Sequence, residues 1–450
     1  MSVFGFKCLQ IGNADLVGNK FNGHNLSIYL QEYNIESKHL VSKKLSKAQN
    51  TYVLRVKKAE NYTDAIIKDR LFLEADIVHL HLIHCTEFNI NYLPILTRLK
   101  PTVITLHEPF FTTGHCLYAF NCDKWKKFCF DCPNLDIPLK TGFDYSSYDF
   151  LTKKLAIQNS NISAIVASDY MENIVNKSPI WYGKKIYKLP FGINQDVFKP
   201  ASNKALAKKR LRIDEDSIVL MFRATKNEFK GLDYIKRALH GLKTDKKIVI
   251  LAVEKKGLLK EFKHKFKIKE YGWIYDDEKL AELYRAADLF LMPSKQEAFG
   301  MMSIEAMSSG VPVVSIKGTS LENITNSPEC GFSVEPEQFC ETLQKLINNP
   351  ALIKEKARLS LDYARQHYGK KSYVKGMVEI YKDVIRNHSQ TEEAKLTLEQ
   401  LKKYAPKNTR TINSTRKRDF IYSRKNIGNQ AVTTIFGIKF KTKIKDKGAG

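Results

Sequence analysis

The sequence predicts an α/β protein made of two doubly wound domains whose parallel sheets face a central cleft. Three observations predict it. Short β-rich runs alternate with helical patterns, the alternation restarts after Pro200, and 450 residues at 43% hydrophobic composition supply enough chain for two cores. Strand–helix alternation implies a parallel sheet covered by helices on both faces. Such sheets bind ligands beyond the carboxyl ends of their strands. Two of them facing each other can hold an activated donor on one side and an acceptor on the other.

The elements follow in chain order. FKCLQIG, DIVHLHL, TVITLH and AIVAS read as buried strands, with LSIYLQEY and YDFLTKKLAIQNS as helices between them. Pro190, Gly192 and Pro200 punctuate the join between the halves. SIVLMFRA, KIVILAV, LFLMPS and VPVVSI are the strands of the second half. LDYIKRALHGL, EKLAELYRAAD and SIEAMSSG are its helices. The expected division is a first domain over 1–195, a second over 196–365, a closing helix over 366–388 and a basic extension over 389–450.

Composition narrows the class. Eight cysteines exclude a small disulfide scaffold, and the apolar content argues against disorder. No apolar run is long enough for a membrane span, and MSVFGFKCLQIGN reads as a first core strand, not a leader. The expectation is a cytoplasmic protein with reduced thiols. The net charge is +25, from 73 Lys+Arg against 48 Asp+Glu. That calls for an anionic partner: nucleic acid, a membrane surface or phosphorylated substrates.

The richest segment is ADLFLMPSKQEAFGMMSIEAMSSGVPVVSIKGTSLEN. A strand ends at Pro293-Ser294. A loop carrying Glu297, Phe299 and Gly300 follows, and a helix starting near Met301 carries Glu305. Loop and helix-start amides can hold an anionic or hydroxyl-rich ligand, and Gly300 lets that backbone approach closely. Two surface glutamates on an ordinary helix would be the alternative. The surrounding Pro293, Ser294, Ala306, Met307, Gly310, Pro312, Val313 and Val314 point elsewhere. Together with Glu297, Phe299, Gly300 and Glu305, they resemble the signature of the retaining glycosyltransferases of family four.

The resemblance implies a GT-B fold of two Rossmann-like domains, the first on the acceptor side and the second binding the nucleotide-sugar. It implies that Glu297 bonds donor-sugar hydroxyls, that Glu305 binds the ribose, and that the Phe299–Met301 backbone contacts sugar or diphosphate. Carboxylates suit this because each accepts two hydroxyls. Arg223 and Lys230-Gly231 stand where the family clamps the diphosphate, taking the place of a metal ion. No cofactor is then required for transfer. Lys317-Gly318-Thr319-Ser320-Leu321-Glu322 departs from the family's Gly-Gly pattern, and the backbone near Gly272–Ile274 is expected to meet the base.

In the first domain, His107 ends a strand facing the cleft, where the family has a histidine that contacts the donor sugar. Gly18 and Gly23 lie in the first βα turn, where family glycines approach the donor phosphate; an ordinary βα loop is the alternative. His79 and His81 share a strand face, which invites a metal reading without carboxylate support. Cys116, Cys122, Cys129 and Cys132 are separated by five, six and two residues. Four thiols so close suggest a structural zinc, with free thiols or a redox pair as alternatives. This stretch, with DIVHLH and TLHEPFFTTGHC, resembles a subgroup acting in colanic-acid and other bacterial surface-polysaccharide synthesis.

Residues 402–450 carry 14 Lys/Arg against Asp419 and Asp446. IFGIKFKTKIK alternates apolar and basic residues, so a short strand or an interfacial segment is expected. Docking on the anionic inner-membrane surface fits an enzyme with a lipid-linked or oligosaccharide acceptor. A solvated tail is the alternative, and no recognition motif supports nucleic acid. The leading expectation is a peripheral, metal-independent hexosyltransferase-like enzyme extending a lipopolysaccharide, capsule or exopolysaccharide. The alternatives are a nucleotide-sugar epimerase or hydrolase of the same fold, and a non-catalytic basic binding protein.

Overall fold

A computed structural model describes residues 5–16, 18, 23–56, 61–135, 142–404, 411–412, 422–427, 430–435 and 438–443. The first sheet contains β1 (Lys7–Ala14), β2 (Glu36–Lys43), β3 (Thr51–Leu54), β4 (Ile77–His81), β5 (Thr102–Thr105), β6 (Ile162–Val166) and β7 (Ile186–Lys188). The second contains β8 (Ile218–Ala224), β9 (Ile248–Glu254), β10 (Lys267–Glu270), β11 (Leu289–Met292), β12 (Val313–Ile316) and β13 (Phe332–Val334). The orders are β3-β2-β1-β4-β5-β6-β7 and β10-β9-β8-β11-β12-β13, parallel throughout. The two doubly wound sheets are those the sequence predicts.

Central strands are near-continuous apolar runs because helices cover both of their faces. In β9, Ile248 to Val253 are all buried. Helices start where a side chain satisfies the first amides: the Asp276 carboxylate accepts from the N–H groups of Glu278 and Lys279, opening the helix Asp277–Ala286. Its Leu280, Ala281, Leu283 and Tyr284 then point inward at helical spacing.

The chain crosses between domains twice, and the crossings touch. The Ile193 N–H donates to the Tyr368 carbonyl (3.0 Å), and the Lys370 N–H donates to the Ile193 carbonyl (2.9 Å). Gly192 is required there, since a Cβ would lie 2.5 Å from the Cβ of Tyr373. The helix Lys370–Arg386 then returns to the first domain. Its Tyr381 hydroxyl accepts from Gln10 Nε2 (3.0 Å) and bonds His79 Nδ1 (2.7 Å).

A further helix, Glu392–Tyr404, buries Ala394 and Leu398 against the first domain. β14 (Thr411–Ile412) pairs antiparallel with β3, Thr411 opposite Leu54. The start of the basic extension therefore belongs to the first domain's cover. β15 (Tyr422–Ile427), β16 (Gln430–Ile435) and β17 (Ile438–Lys443) form a separate antiparallel sheet. The alternation of IFGIKFKTKIK is thus strand alternation in part. The tail cations Lys407, Arg410, Arg416, Lys417, Arg418, Lys445 and Lys447 lie outside the described residues, as does Asn22 of the glycine turn. Among the described residues no helix is long and apolar enough to cross a membrane.

Candidate active site

The carboxyl ends of both sheets line one cavity of about 450 Å³, a volume in the range of small-molecule sites (about 300–1,000 Å³). His107, Lys230, Arg223, Glu297, Glu305, Phe299, Gly300, Met301 and Gly18 all line it. Gly23 does not. It sits behind the wall with φ +91°, and a Cβ there would meet His81 Cδ2 at 2.8 Å. Its physical role is to let the helix His24–Glu32 begin against that ring.

The second domain brings its two motifs together through backbone. The Lys295 N–H donates to the Phe229 carbonyl (2.7 Å). Gly231, at φ +67°, packs so closely that a Cβ would lie 1.8 Å from the Pro293 carbonyl oxygen. This contact sets the turn Glu228–Lys230 beside the loop after β11. Lys230 Nζ consequently reaches Glu297 Oε2 at 2.6 Å. Gly300, at φ +92°, caps the helix Met301–Ser308. Behind the loop, the Ser320 N–H donates to the Glu297 carbonyl (3.3 Å). The divergent 317–322 segment therefore buttresses this loop. The first domain holds it too: Ser168 Oγ donates to the Ala298 carbonyl (2.5 Å), and the Tyr170 hydroxyl donates to Gln296 Oε1 (3.1 Å).

Glu305 is buried and accepts from the Tyr284 hydroxyl at 3.2 Å. Arg223, at the end of β8, pairs with the Glu254 carboxylate at the end of β9, its guanidinium 5.7 Å from the Trp273 ring centroid. Glu254 holds φ +85°, a left-handed conformation uncommon for a non-glycine residue. Sequence reasoning missed Glu254, although its place at a strand's carboxyl end is a signal that could have found it. Trp273 lies in the Gly272–Ile274 segment expected to meet the base.

In the first domain, three histidines form a ladder from the core to the cleft. His79 Nε2 bonds Thr105 Oγ1 (2.7 Å) and its Nδ1 bonds Tyr381, so both ring nitrogens are used and the metal reading fails. His81 Nε2 bonds Gln10 Oε1 (2.8 Å), and its Nδ1 faces His107 Nε2 at 3.2 Å. The Gln10 oxygen can only accept, so His81 donates to it and receives the His107 proton. His107 stacks on Phe191 with centroids 5.6 Å apart. Burial, with the nearby His84, pulls its pKa down to about 3. The cleft thus meets an uncharged imidazole.

Glu108, which follows His107 and was given no role in the sequence reading, lines the same cavity 3.2 Å from His84 Nε2. Burial pushes its carboxyl up to about 8, while burial and Lys153 pull His84 down to about 3. The contact is therefore a neutral acid–imidazole hydrogen bond, not an ion pair. Tyr118, from the irregular cysteine-rich loop, completes the wall. The four cysteines lie elsewhere, around a separate cavity of about 10 Å³ that His115 also lines.

Comparison with known proteins identifies what the chain is similar to. Residues 203–367 match the family model for glycosyl transferases group 1. A D-inositol 3-phosphate glycosyltransferase of Streptomyces bingchenggensis is 26% identical over 216 residues, covering 44% of this chain and 47% of that protein. The chain thus spans about half the length of the curated relatives it matches. Anabaena Alr3699/HepE, solved with UDP and glucose, superposes with a TM-score of 0.61 at 13% identity, covering 84% of this chain and 100% of that one. WaaG, a glycosyltransferase involved in lipopolysaccharide biosynthesis, gives 0.58 at 17% identity, covering 83% and 98%. At such identities these structures establish the fold. The segment that holds the second sheet matches the glycosyl transferases group 1 model, within a two-domain GT-B fold.

Proposed function

We propose that the chain is a retaining glycosyltransferase that moves a sugar from a nucleotide-sugar to a growing bacterial surface glycan. The observation that carries this reading is the convergence of Glu297, Glu305, Lys230 and Arg223 on one cleft between two sheets. Glu305 binds the ribose hydroxyls, with Tyr284 fixing its carboxylate. Glu297 orients the sugar hydroxyls. Lys230 and Arg223 hold the diphosphate and stabilise the charge that grows on it. The acceptor hydroxyl attacks the anomeric carbon on the face the nucleotide leaves. The bond from that carbon to the acceptor oxygen forms as its bond to the phosphate oxygen breaks, and the acceptor's proton passes to that phosphate oxygen. Configuration is retained without a side-chain nucleophile, and no metal is assigned a step.

The surface-glycan assignment draws on the TLHEPFFTTGHC and cysteine-rich stretches. Docking of the basic extension on the anionic cytoplasmic face of the inner membrane draws on the sheet β15–β17, each cation near such a leaflet contributing about 1 kcal/mol. The test is incubation with a panel of nucleotide-sugars and lipid-linked acceptors, followed by NMR of the product's anomeric configuration. Glycosidic product of retained configuration, lost in Glu297→Ala, is expected. Free sugar or an epimer as sole product would replace the transferase reading with a hydrolase or epimerase. Flotation with anionic vesicles, with and without residues 405–450, tests docking; equal binding removes the tail's role.

A further inference from the structure

We infer that His115, Cys116, Cys129 and Cys132 bind one Zn²⁺ ion, which clips the loop 113–133 into the shape that carries Tyr118 to the cleft wall and Phe120 onto Phe229. The ligand set differs from four cysteines. The ligand atoms of His115, Cys116 and Cys132 lie within 4.8 Å of one another. His115 Nδ1 and Cys132 Sγ are 3.8 Å apart. Zinc with bonds of about 2.3 Å to sulfur and 2.0–2.1 Å to nitrogen has a tetrahedral N···S edge of about 3.6 Å. The pair is thus close to binding distance as it stands.

The histidine is oriented for the task. Its Nε2 lies 3.3 Å from the Asn134 carbonyl, which only accepts, so Nε2 carries the proton. Nδ1 is then the lone-pair nitrogen on the Cys132 side, the outer-shell arrangement usual for a metal-bound imidazole. Cys129 is chosen as the fourth ligand for two reasons. It forms a C-x-x-C pair with Cys132, a frequent structural-zinc spacing. Its sulfur also accepts the N–H of Gly114, the residue before His115 in the chain, at 3.2 Å, and Cys129 lines the same small cavity as the other three ligands. Cys122 lines the same cavity, and its carbonyl accepts from Trp125 Nε1 at 3.0 Å. The cavity of about 10 Å³ has room for little more than an ion.

The loop needs such a clip. Its regular structure is a single 3₁₀ turn, Lys124–Lys126. It holds Phe120 and Asp131 at positive φ (50° and 43°), which strains non-glycine backbone. Long loops without secondary structure are uncommon in compact domains unless something fixes them. This one has a consequence at the cleft. Phe120 packs on Phe229 with centroids 4.9 Å apart, and Tyr118 on the same ring at 6.3 Å. Phe229 immediately precedes Lys230, so the clip braces the lysine turn from across the domain boundary.

The test is zinc content of the full chain purified without chelators, by plasma mass spectrometry. About one zinc per chain is expected, lost in His115→Ala, Cys116→Ser, Cys129→Ser and Cys132→Ser and kept in Cys122→Ser. Because a cysteine variant can fail to fold, reduced parent protein stripped of metal is also titrated with Co²⁺. Thiolate-to-cobalt absorption saturating at one equivalent, with slower proteolysis within 113–135, supports the clip. No zinc in the parent together with no cobalt absorption overturns it. Full zinc in His115→Ala with loss in Cys122→Ser overturns the histidine ligand in favour of four cysteines. None of these readouts depends on transfer activity, so the clip and the proposed function can fail separately.

Discussion

Lys230 is the residue whose removal tests the cleft most directly. Its Nζ lies 2.6 Å from Glu297 Oε2, and the two side chains are 18% and 12% exposed. A charge-assisted bond so shielded contributes about 1.5–3 kcal/mol, and breaking it from one side leaves Glu297 without its cation. On the proposed function, Lys230 exchanges that carboxylate for the donor's diphosphate. Loss of one preorganised donor facing a developing oxyanion costs about 2.7–4 kcal/mol, or roughly 100–1,000-fold in kcat. Ground-state donor binding loses less, because the lysine gives up a carboxylate to make the new bond; about tenfold in Kd is expected, near 1.4 kcal/mol. Lys230→Met keeps the aliphatic stem and removes only the charge. The assay is single-turnover release of nucleoside diphosphate at saturating donor, beside a titration of donor binding and a thermal melt. The double variant with Glu297→Gln should lose less than the sum of the singles, because the two share one interaction. A folded Lys230→Met protein with unchanged kcat would refute the placement of this lysine on the phosphate.

Glu254→Gln removes the carboxylate paired with Arg223. Calorimetry should show donor affinity maintained or increased, and a marked loss would mean that Glu254 itself binds the ligand. Glu108 gives a pH prediction. Its carboxyl titrates at about 8 in the fold against about 4.3 in the unfolded chain. Between these values the folded state holds a proton that the unfolded chain has released, so stability falls as pH rises. Melts of Glu108→Gln should therefore fall less steeply over that window and lie above the parent near pH 8; identical slopes would show that this carboxyl is ionised in the fold. Tyr381→Phe removes the hydroxyl shared by Gln10 and His79. The buried groups left behind cost about 1–3 kcal/mol, read in a denaturant melt, and an unchanged midpoint would show that this contact contributes nothing.

How much of the fold was legible follows from what each strand must bury. β4, β8, β9, β11 and β12 lie inside their sheets and carry runs such as IVILAVE, so they stood out. β10 and β13, at the edges of the second sheet, read KIKE and FSV and have no fully buried residue. An edge facing solvent needs no apolar run, so hydrophobicity did not mark them. β2 was missed for another reason. It is interior, yet its buried positions include Ser37 and His39. Ser37 meets Ser27 at 3.1 Å and its carbonyl accepts from Gln31 Nε2 at 2.9 Å. The strand is held partly by polar contacts that a hydrophobic period cannot detect.

The site divides along the same line. Its second-domain half depends on local backbone: a strand end, a glycine at positive φ and a helix start lie within a dozen residues. Such constraints leave a dense motif, and the motif was readable. The first-domain half depends on contacts between distant residues. His84 meets Glu108, His81 meets His107, and Tyr118 reaches the cleft from a loop without regular structure. His107 stood in a readable motif, but the residues that hold this wall in place, such as His81 and His84, are ordinary residue types in their own sequence neighbourhoods. Arg223 and Lys230 show why even the readable half was incomplete. The motif identifies two cations for an anionic donor, but the fold pairs both with carboxylates, Glu254 and Glu297. A cleft with unpaired cations would hold any phosphate. With each cation already paired, free phosphate must displace two carboxylates. A ligand whose sugar can use Glu297 as that carboxylate leaves the lysine replaces what it displaces. On the proposed function, the pairing favours a whole nucleotide-sugar over its fragments, a selectivity that resides in the folded geometry and in no single motif.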